Sequence, residues 1–206
     1  MKKNGFTLSE LLIAVGVVGI IAAITLTSIH KITPDKDKGA VLKVFTTVSE
    51  INNDIFNNPS LYMINYSAQT LCSDNGILNC TDAPLDGNHS TAIGDNKYPT
   101  LLMENLSLND VTSIYNFQTT DGITWDIDIN KSSNVISSYT ITITTGNNNR
   151  DNCIYSAECR NPGQFSLRVT QNGNVEGVDA LTRAYLENPD ELNNRTADLR
   201  RAAELL

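Results

Sequence analysis

The sequence predicts an α+β protein in which a long N-terminal helix packs on an antiparallel sheet of four or five strands, with a helical segment at the C-terminal end. Three observations lead to this fold class. An uncharged apolar run lies near the N-terminus, apolar residues then recur at helical spacing, and the second half of the chain alternates apolar and polar residues. These elements are large enough together to enclose one hydrophobic core.

The first element is the apolar run at residues 11–29, whose 19 positions include no Asp, Glu, Lys or Arg. As a helix it would be about 28 Å long, close to the roughly 30 Å thickness of a bilayer core. Lys2 and Lys3 precede it, so the rest of the chain should lie outside the cytoplasm. A cleaved signal peptide fits less well, because the run exceeds the usual length and no A-x-A site follows.

A second helix follows Pro34, because apolar residues return there at helical spacing. These residues are Val41, Val44, Phe45, Val48, Ile51 and Ile55. Asn57-Asn58-Pro59 should end the helix. The stripe fits the second half of one long helix that is kinked near Pro34, and it fits an ordinary core helix equally well.

The strands are predicted downstream of a loop-rich segment at residues 60–110, which includes a short helix near residues 100–106. Alternation predicts strands at residues 112–119, 122–129, 135–145 and 165–170, with a return strand beginning at Val175. Two helices are predicted at residues 179–187 and 189–205, separated at Asn188-Pro189. They should cover the sheet or contact a neighbouring molecule.

Composition excludes several classes of function. The net charge of −8 disfavours nucleic-acid binding, because the phosphate backbone is bound mainly through Lys and Arg. Two histidines in the whole chain, His30 and His89, rule out a His-rich metal site. Neither histidine accompanies a nucleophile motif, and no Gly-rich phosphate loop is present, so we expect the protein not to be an enzyme.

The four cysteines, Cys72, Cys80, Cys153 and Cys159, all follow the predicted span. An exported compartment permits disulfides. Close spacing favours the pairs Cys72–Cys80 and Cys153–Cys159, although four cysteines allow three connectivities. Zinc ligation is the competing interpretation, and it is disfavoured because the spacings are not C-x₂-C.

Glu10 is a single carboxylate directly before the apolar run. A carboxylate in a membrane helix costs roughly 2.5–3.5 kcal/mol, so Glu10 either lies among headgroups or has a partner. It belongs to the string Gly5-Phe6-Thr7-Leu8-Ser9-Glu10. This string resembles the N-terminus of type IV prepilins and of type II secretion pseudopilins, closely over residues 1 to about 30 and loosely to about residue 58.

The resemblance implies a processing event and an assembly contact. Prepilin peptidase would cut between Gly5 and Phe6 and would methylate the new α-amine of Phe6. Glu10 matches the glutamate that aligns an incoming subunit, and in a stack it could approach the Phe6 amine of its neighbour. The implied partners are this peptidase, other pilin or pseudopilin subunits, the inner-membrane assembly platform and the lipid bilayer. No nucleic acid is expected.

The resemblance also raises the question of a bound calcium ion. Some major pseudopilins hold calcium in a loop before the last strands, and residues 146–152 here are rich in oxygen ligands. Asn-rich loops are commoner than calcium sites, so we expect no cofactor and no metal, with calcium as the less favoured option.

The resemblance divides the chain into five segments. They are a leader at 1–5, a transmembrane and assembly helix at 6–30, its amphipathic continuation at 31–58, a globular α+β pilin-like domain at 59–177 and C-terminal helices at 178–206. It implies a structural subunit of a type IV pilus or secretion pseudopilus, with a single pass in the inner membrane and its domain outside the cytoplasm. The alternative is a membrane-anchored binding module that never polymerises.

Overall fold

The structure is a computed structural model that describes residues 15, 35–65, 70–71, 76–147, 150–189 and 195–206. The leader, nearly all of the predicted span and the predicted kink near Pro34 lie outside these residues. Among the residues that are described, no helix combines the length and the apolar character that a membrane crossing needs. The five-segment division of the chain stays a prediction.

Helix α1 (Lys36–Phe56) is the first described element of the domain. Its N-cap is Asp35, whose side chain accepts a hydrogen bond from the backbone N–H of Asp37 at 3.1 Å. The helix ends before Asn57, as the sequence predicts. The predicted apolar stripe is confirmed, since all of its members are buried except Phe45, which is partly buried.

Short elements connect α1 to the main sheet. Strands β1 (Met63–Asn65) and β2 (Thr70–Leu71) form a two-stranded ribbon. Two 3₁₀ turns follow, Ile77–Asn79 and Gly94–Asn96, and then comes helix α2 (Lys97–Glu104). Helix α2 is the short helix predicted near residues 100–106, and it begins three residues earlier.

The described part of the chain forms one main sheet of seven strands. The strands are β3 (Leu108–Ser113), β4 (Asn116–Thr119), β5 (Thr124–Ser132), β6 (Val135–Thr144), β7 (Asp151–Ile154), β8 (Pro162–Thr170) and β9 (Val175–Gly177). Their order is β3-β4-β5-β6-β8-β7, and β9 also pairs with β8. Helices α3 (Ala180–Glu187) and α4 (Arg195–Glu204) confirm the helix predicted at 179–187 and part of the one predicted at 189–205. Pro189 lies in a turn, and residues 190–194 lie outside the described residues.

The prediction of an antiparallel sheet with four or five strands was wrong in two respects. The sheet is mixed, because β7 runs parallel to β8. It also has more strands, because β7 was not predicted and the segment predicted as one strand at residues 112–119 reverses direction. Ser113 Oγ accepts hydrogen bonds from the backbone N–H groups of Tyr115 and Asn116, which closes a turn between β3 and β4.

The core is formed by the inner face of the three central strands. Alternation along β5 and β6 aligns Ile127 with Ile141, and β8 adds Leu167 opposite Ile141. These side chains are at most 3% exposed. Helix α1 lies along β8 and β9, so its apolar stripe and the sheet enclose the same core.

Gly173, in the turn between β8 and β9, is one of the described glycines that should tolerate a side chain poorly. Its φ is +82°, and an added Cβ would lie 2.5 Å from Cδ2 of Phe56. Gly87 has a similar φ of +74° with no atom within 4 Å. Gly87→Ala should therefore cost about 1–2 kcal/mol through the backbone alone. Gly173→Ala should cost about 1–3 kcal/mol more through the overlap with Phe56. Chemical denaturation of both full-length variants checks this, and equal losses would contradict it.

Candidate functional site

A buried cluster of charges surrounds the N-terminus of α1, where the chain arrives from the predicted membrane span. Three acidic and three basic side chains form it, and we call it the base cluster. Its members are Asp35, Asp37, Lys38, Arg150, Arg195 and Asp198. Arg201 Nη1 also lies 3.4 Å from Asp198 Oδ1, but the Arg201 side chain is 38% exposed, so the six members that lie deeper have equal numbers of positive and negative charges.

Asp37 is the most heavily bonded carboxylate of the base cluster. It accepts hydrogen bonds from Arg150 Nε at 2.6 Å, from Arg195 Nη1 at 3.2 Å and from Thr145 Oγ1 at 2.8 Å. Its side chain is fully buried. The carboxylate also lies in the first turn of α1, where the helix dipole favours negative charge.

Lys38 and Asp198 form the second half of the base cluster. Lys38 Nζ lies 3.1 Å from Asp198 Oδ2, and both side chains are fully buried. Burial raises the pKa of the Asp198 carboxyl, while hydrogen bonding to Lys38 and its positive charge act in the opposite direction. The same ammonium lies 5.6 Å from the ring centroid of Tyr185.

Tyr185, on α3, links the two halves. Burial and then the negative charge of Asp35 raise the pKa of the Tyr185 hydroxyl, so it remains a proton donor. It donates to Asp35 Oδ2 at 3.0 Å and accepts from Arg195 Nη1 at 2.7 Å. The first turn of α1 is thereby bonded to both C-terminal helices.

The base cluster was not predicted from the sequence. Its partners come from the start of α1, the segment after β6 and the C-terminal helices, and they are up to 160 residues apart. The available signal was local: Asp35-Lys36-Asp37-Lys38 alternates in charge, and Arg195 and Asp198 share one face of a helix. Alternating charges usually mark a solvated surface, whereas Asp37 and Lys38 are buried here and Lys36 is exposed.

The residues predicted to carry processing and assembly, Gly5, Phe6 and Glu10, lie outside the described residues. Their roles stay predictions. The base cluster is the described feature nearest to them along the chain, since α1 begins at Lys36.

The predicted pair Cys153–Cys159 is confirmed as a disulfide, with the two Cα atoms 6.4 Å apart. Cys80 is also disulfide-bonded, and Cys72, its predicted partner, lies outside the described residues. Zinc ligation by these sulfurs would require free thiolates, which a disulfide removes. The disulfide interpretation is therefore favoured over the zinc interpretation at Cys153 and Cys159.

The loop at residues 146–152 already contains a cationic group. Arg150 donates through Nε to Asp37 and through Nη1 to Asn161 Oδ1 at 2.7 Å. Residues 148 and 149 lie outside the described part. A calcium ion that used Asp37 or Asn161 as a ligand would have to displace this guanidinium, so the described geometry gives calcium no support here.

Comparison with known proteins finds similarity at the N-terminus. No curated protein and no solved structure matches the chain. Residues 1–26 match a family model described as the prokaryotic N-terminal methylation motif. This match covers the Gly5-Phe6 junction and Glu10. The chain therefore carries the prokaryotic N-terminal methylation motif, which is the hallmark of the prepilin leader of type IV pilins and pseudopilins.

Proposed function

We propose that this protein is a structural subunit of a type IV pilus or of a type II secretion-like pseudopilus. Prepilin peptidase removes residues 1–5 and methylates Phe6, and the subunit then polymerises through its N-terminal helix with other subunits at the inner-membrane assembly platform. Before assembly a single span holds it in the inner membrane, with the domain outside the cytoplasm. The methylation motif at residues 1–26 carries this proposal. The role is structural and not catalytic.

The described fold supports the proposal because it joins α1 firmly to the domain. A subunit that is held in a filament by its N-terminal helix must transmit force from that helix to the rest of the chain. The base cluster bonds the first turn of α1 to the segment after β6 and to both C-terminal helices. The apolar stripe buries about four further turns, from Val41 to Ile55, against the sheet. Helix and domain should therefore move as one body.

Mass spectrometry of the N-terminus tests the processing step. The full-length chain is expressed in membranes with and without a prepilin peptidase, and the N-terminal peptide is sequenced. With the peptidase, we expect the peptide to begin at a methylated Phe6, because the resemblance to prepilins implies a scissile bond after Gly5. A Gly5→Leu variant is the matched control and should retain Met1. An intact Met1 in the unmodified chain, in the presence of a peptidase that processes a reference prepilin, would overturn the proposal.

A further inference from the structure

An open groove of about 560 Å³ lies at the C-terminal end of α1. Its volume is within the range of about 300–1,000 Å³ that is usual for small-ligand sites. The last two turns of α1 form one wall, and the turn between β8 and β9 forms the other. The described residues that line it are Ser49, Asn52, Asn53, Phe56, Asn57, Ile77, Asn172, Gly173, Asn174 and Val175.

The described lining of the groove is neutral and rich in amides. None of its ten described residues is charged, although the whole chain has a net charge of −8. Five of them are asparagines, and each primary amide offers two N–H donors and one carbonyl acceptor. Such a surface suits a ligand that has many hydroxyl groups and no charge.

Asn52 supports the groove. It is 2% exposed, donates through Nδ2 to the carbonyl of Gly173 at 2.9 Å and accepts from Tyr98 OH at 2.9 Å. The Cα of Gly173 lies close to the ring of Phe56, which leaves no space for a Cβ. The Phe56 ring packs on Tyr62, with ring centroids 4.9 Å apart. These contacts fix the two walls relative to each other, so the groove is preformed.

The exposed amides are placed where a ligand could reach them. Asn57 Nδ2 donates to Asn53 Oδ1 at 2.9 Å, which leaves the Nδ2 hydrogens of Asn53 and the carbonyl of Asn57 available. Asn172 and Asn174 are exposed on the rim, and neither side chain has a hydrogen-bond partner among the described residues. Apolar atoms of Ile77 and Val175 lie between these polar groups, so the groove offers donors, acceptors and a small apolar surface together.

We propose that this groove binds a short neutral oligosaccharide. Sugar hydroxyls donate and accept hydrogen bonds as amides do, and the C–H faces of a sugar ring match the apolar surface. The groove lies towards the C-terminal end of α1, and the helical rise from Asp37 to Asn53 separates it from the base cluster by about 24 Å. The proposed binding at this groove does not depend on whether the subunit polymerises.

The test measures binding of three neutral trisaccharides, maltotriose, cellotriose and N,N′,N″-triacetylchitotriose, to the full-length chain. The detergent must not carry a sugar headgroup, because an alkyl maltoside would compete. We expect at least one trisaccharide to bind saturably by calorimetry and by ligand-observed NMR. The double substitution N172A/N174A should weaken that binding at least tenfold. Asn109→Ala, an exposed amide on β3, is the matched control and should bind as the unmodified chain does. Unchanged Trp125 fluorescence would show that the double variant is folded.

Three outcomes would overturn the proposal. The first is that none of the trisaccharides binds saturably. The second is that N172A/N174A binds as tightly as the unmodified chain, which would place any binding elsewhere. The third is that a charged probe, trigalacturonate, binds more tightly than every neutral one. If the double variant instead changes self-association and no sugar binds, the groove is a contact between subunits.

Discussion

Replacing Lys38 with alanine should lower the free energy of unfolding by about 3 kcal/mol, because the buried Asp198 carboxylate then keeps only the partly exposed Arg201, 3.4 Å away, as a cationic partner. Both side chains are fully buried, and their polar atoms lie 3.1 Å apart. Denaturant unfolding of the full-length chain in detergent measures the change. The reporter is Trp125, the single tryptophan of the sequence, which is 2% exposed in the core.

Lys43→Ala is the matched control, since Lys43 is on the same helix and also pairs with an aspartate. Its Nζ lies 2.7 Å from Asp121 Oδ2, but the two side chains are 62% and 32% exposed. Water screens such a pair, so its removal should cost less than about 1 kcal/mol. Equal small losses in the two variants would contradict the stabilising role of the base cluster.

The loss in Lys38→Ala should also depend on pH. Burial raises the pKa of Asp198 in the native state, and removal of the Lys38 charge should raise it further. A carboxyl with a raised native pKa favours folding while it is protonated, and this contribution disappears as the pH rises through the native pKa. The stability gap between Lys38→Ala and the unmodified chain should therefore be smaller at pH 4 than at pH 8. A gap that is constant with pH would assign the loss to packing alone.

The sequence predicted the elements whose signals are local. The stripe from Val41 to Ile55 is a property of α1 itself, and the alternation in β5, β6 and β8 is a property of each strand. Strand β7 was missed because its four residues carry no alternating pattern. It is ordered by pairing with Pro162 and Gln164 and by the Cys153–Cys159 disulfide, which are contacts with other parts of the chain.

The difference between local and long-range signals also explains which sites could be predicted from the sequence. The methylation motif is a contiguous string that a peptidase recognises as such, so the residues alone identify it. The base cluster and the groove are assembled from distant segments. Lys38 meets Asp198 across 160 residues, and Asn52 meets Gly173 across 121. The periodicity of the sequence cannot predict such pairs. Charge and amide content along the chain do not show which side chains the fold brings together in its interior.

Replacing Glu10 with alanine should leave cleavage after Gly5 intact and should prevent incorporation of the subunit into filaments. Cleavage would create an α-amine at Phe6, four residues before Glu10, and in the proposed filament a neighbouring subunit would place its Glu10 near this amine. Two opposite charges 4 Å apart are worth about 4 kcal/mol at an effective dielectric constant of about 20. A loss of this size at each subunit contact corresponds to roughly a thousandfold weaker association. Immunoblots of sheared filaments and of membranes, with N-terminal mass spectrometry of the membrane pool, measure both steps.

Glu50→Ala is the control for this experiment, because Glu50 is an exposed glutamate on the outer face of α1 and its loss should not affect incorporation. Glu10→Gln separates charge from hydrogen bonding, and it should fail as Glu10→Ala does if the ion pair sets the register. Normal incorporation of Glu10→Ala would show that other contacts align the subunits. Absence of even the unmodified chain from filaments, with its Phe6 correctly methylated, would replace the subunit proposal with a membrane-anchored binding module.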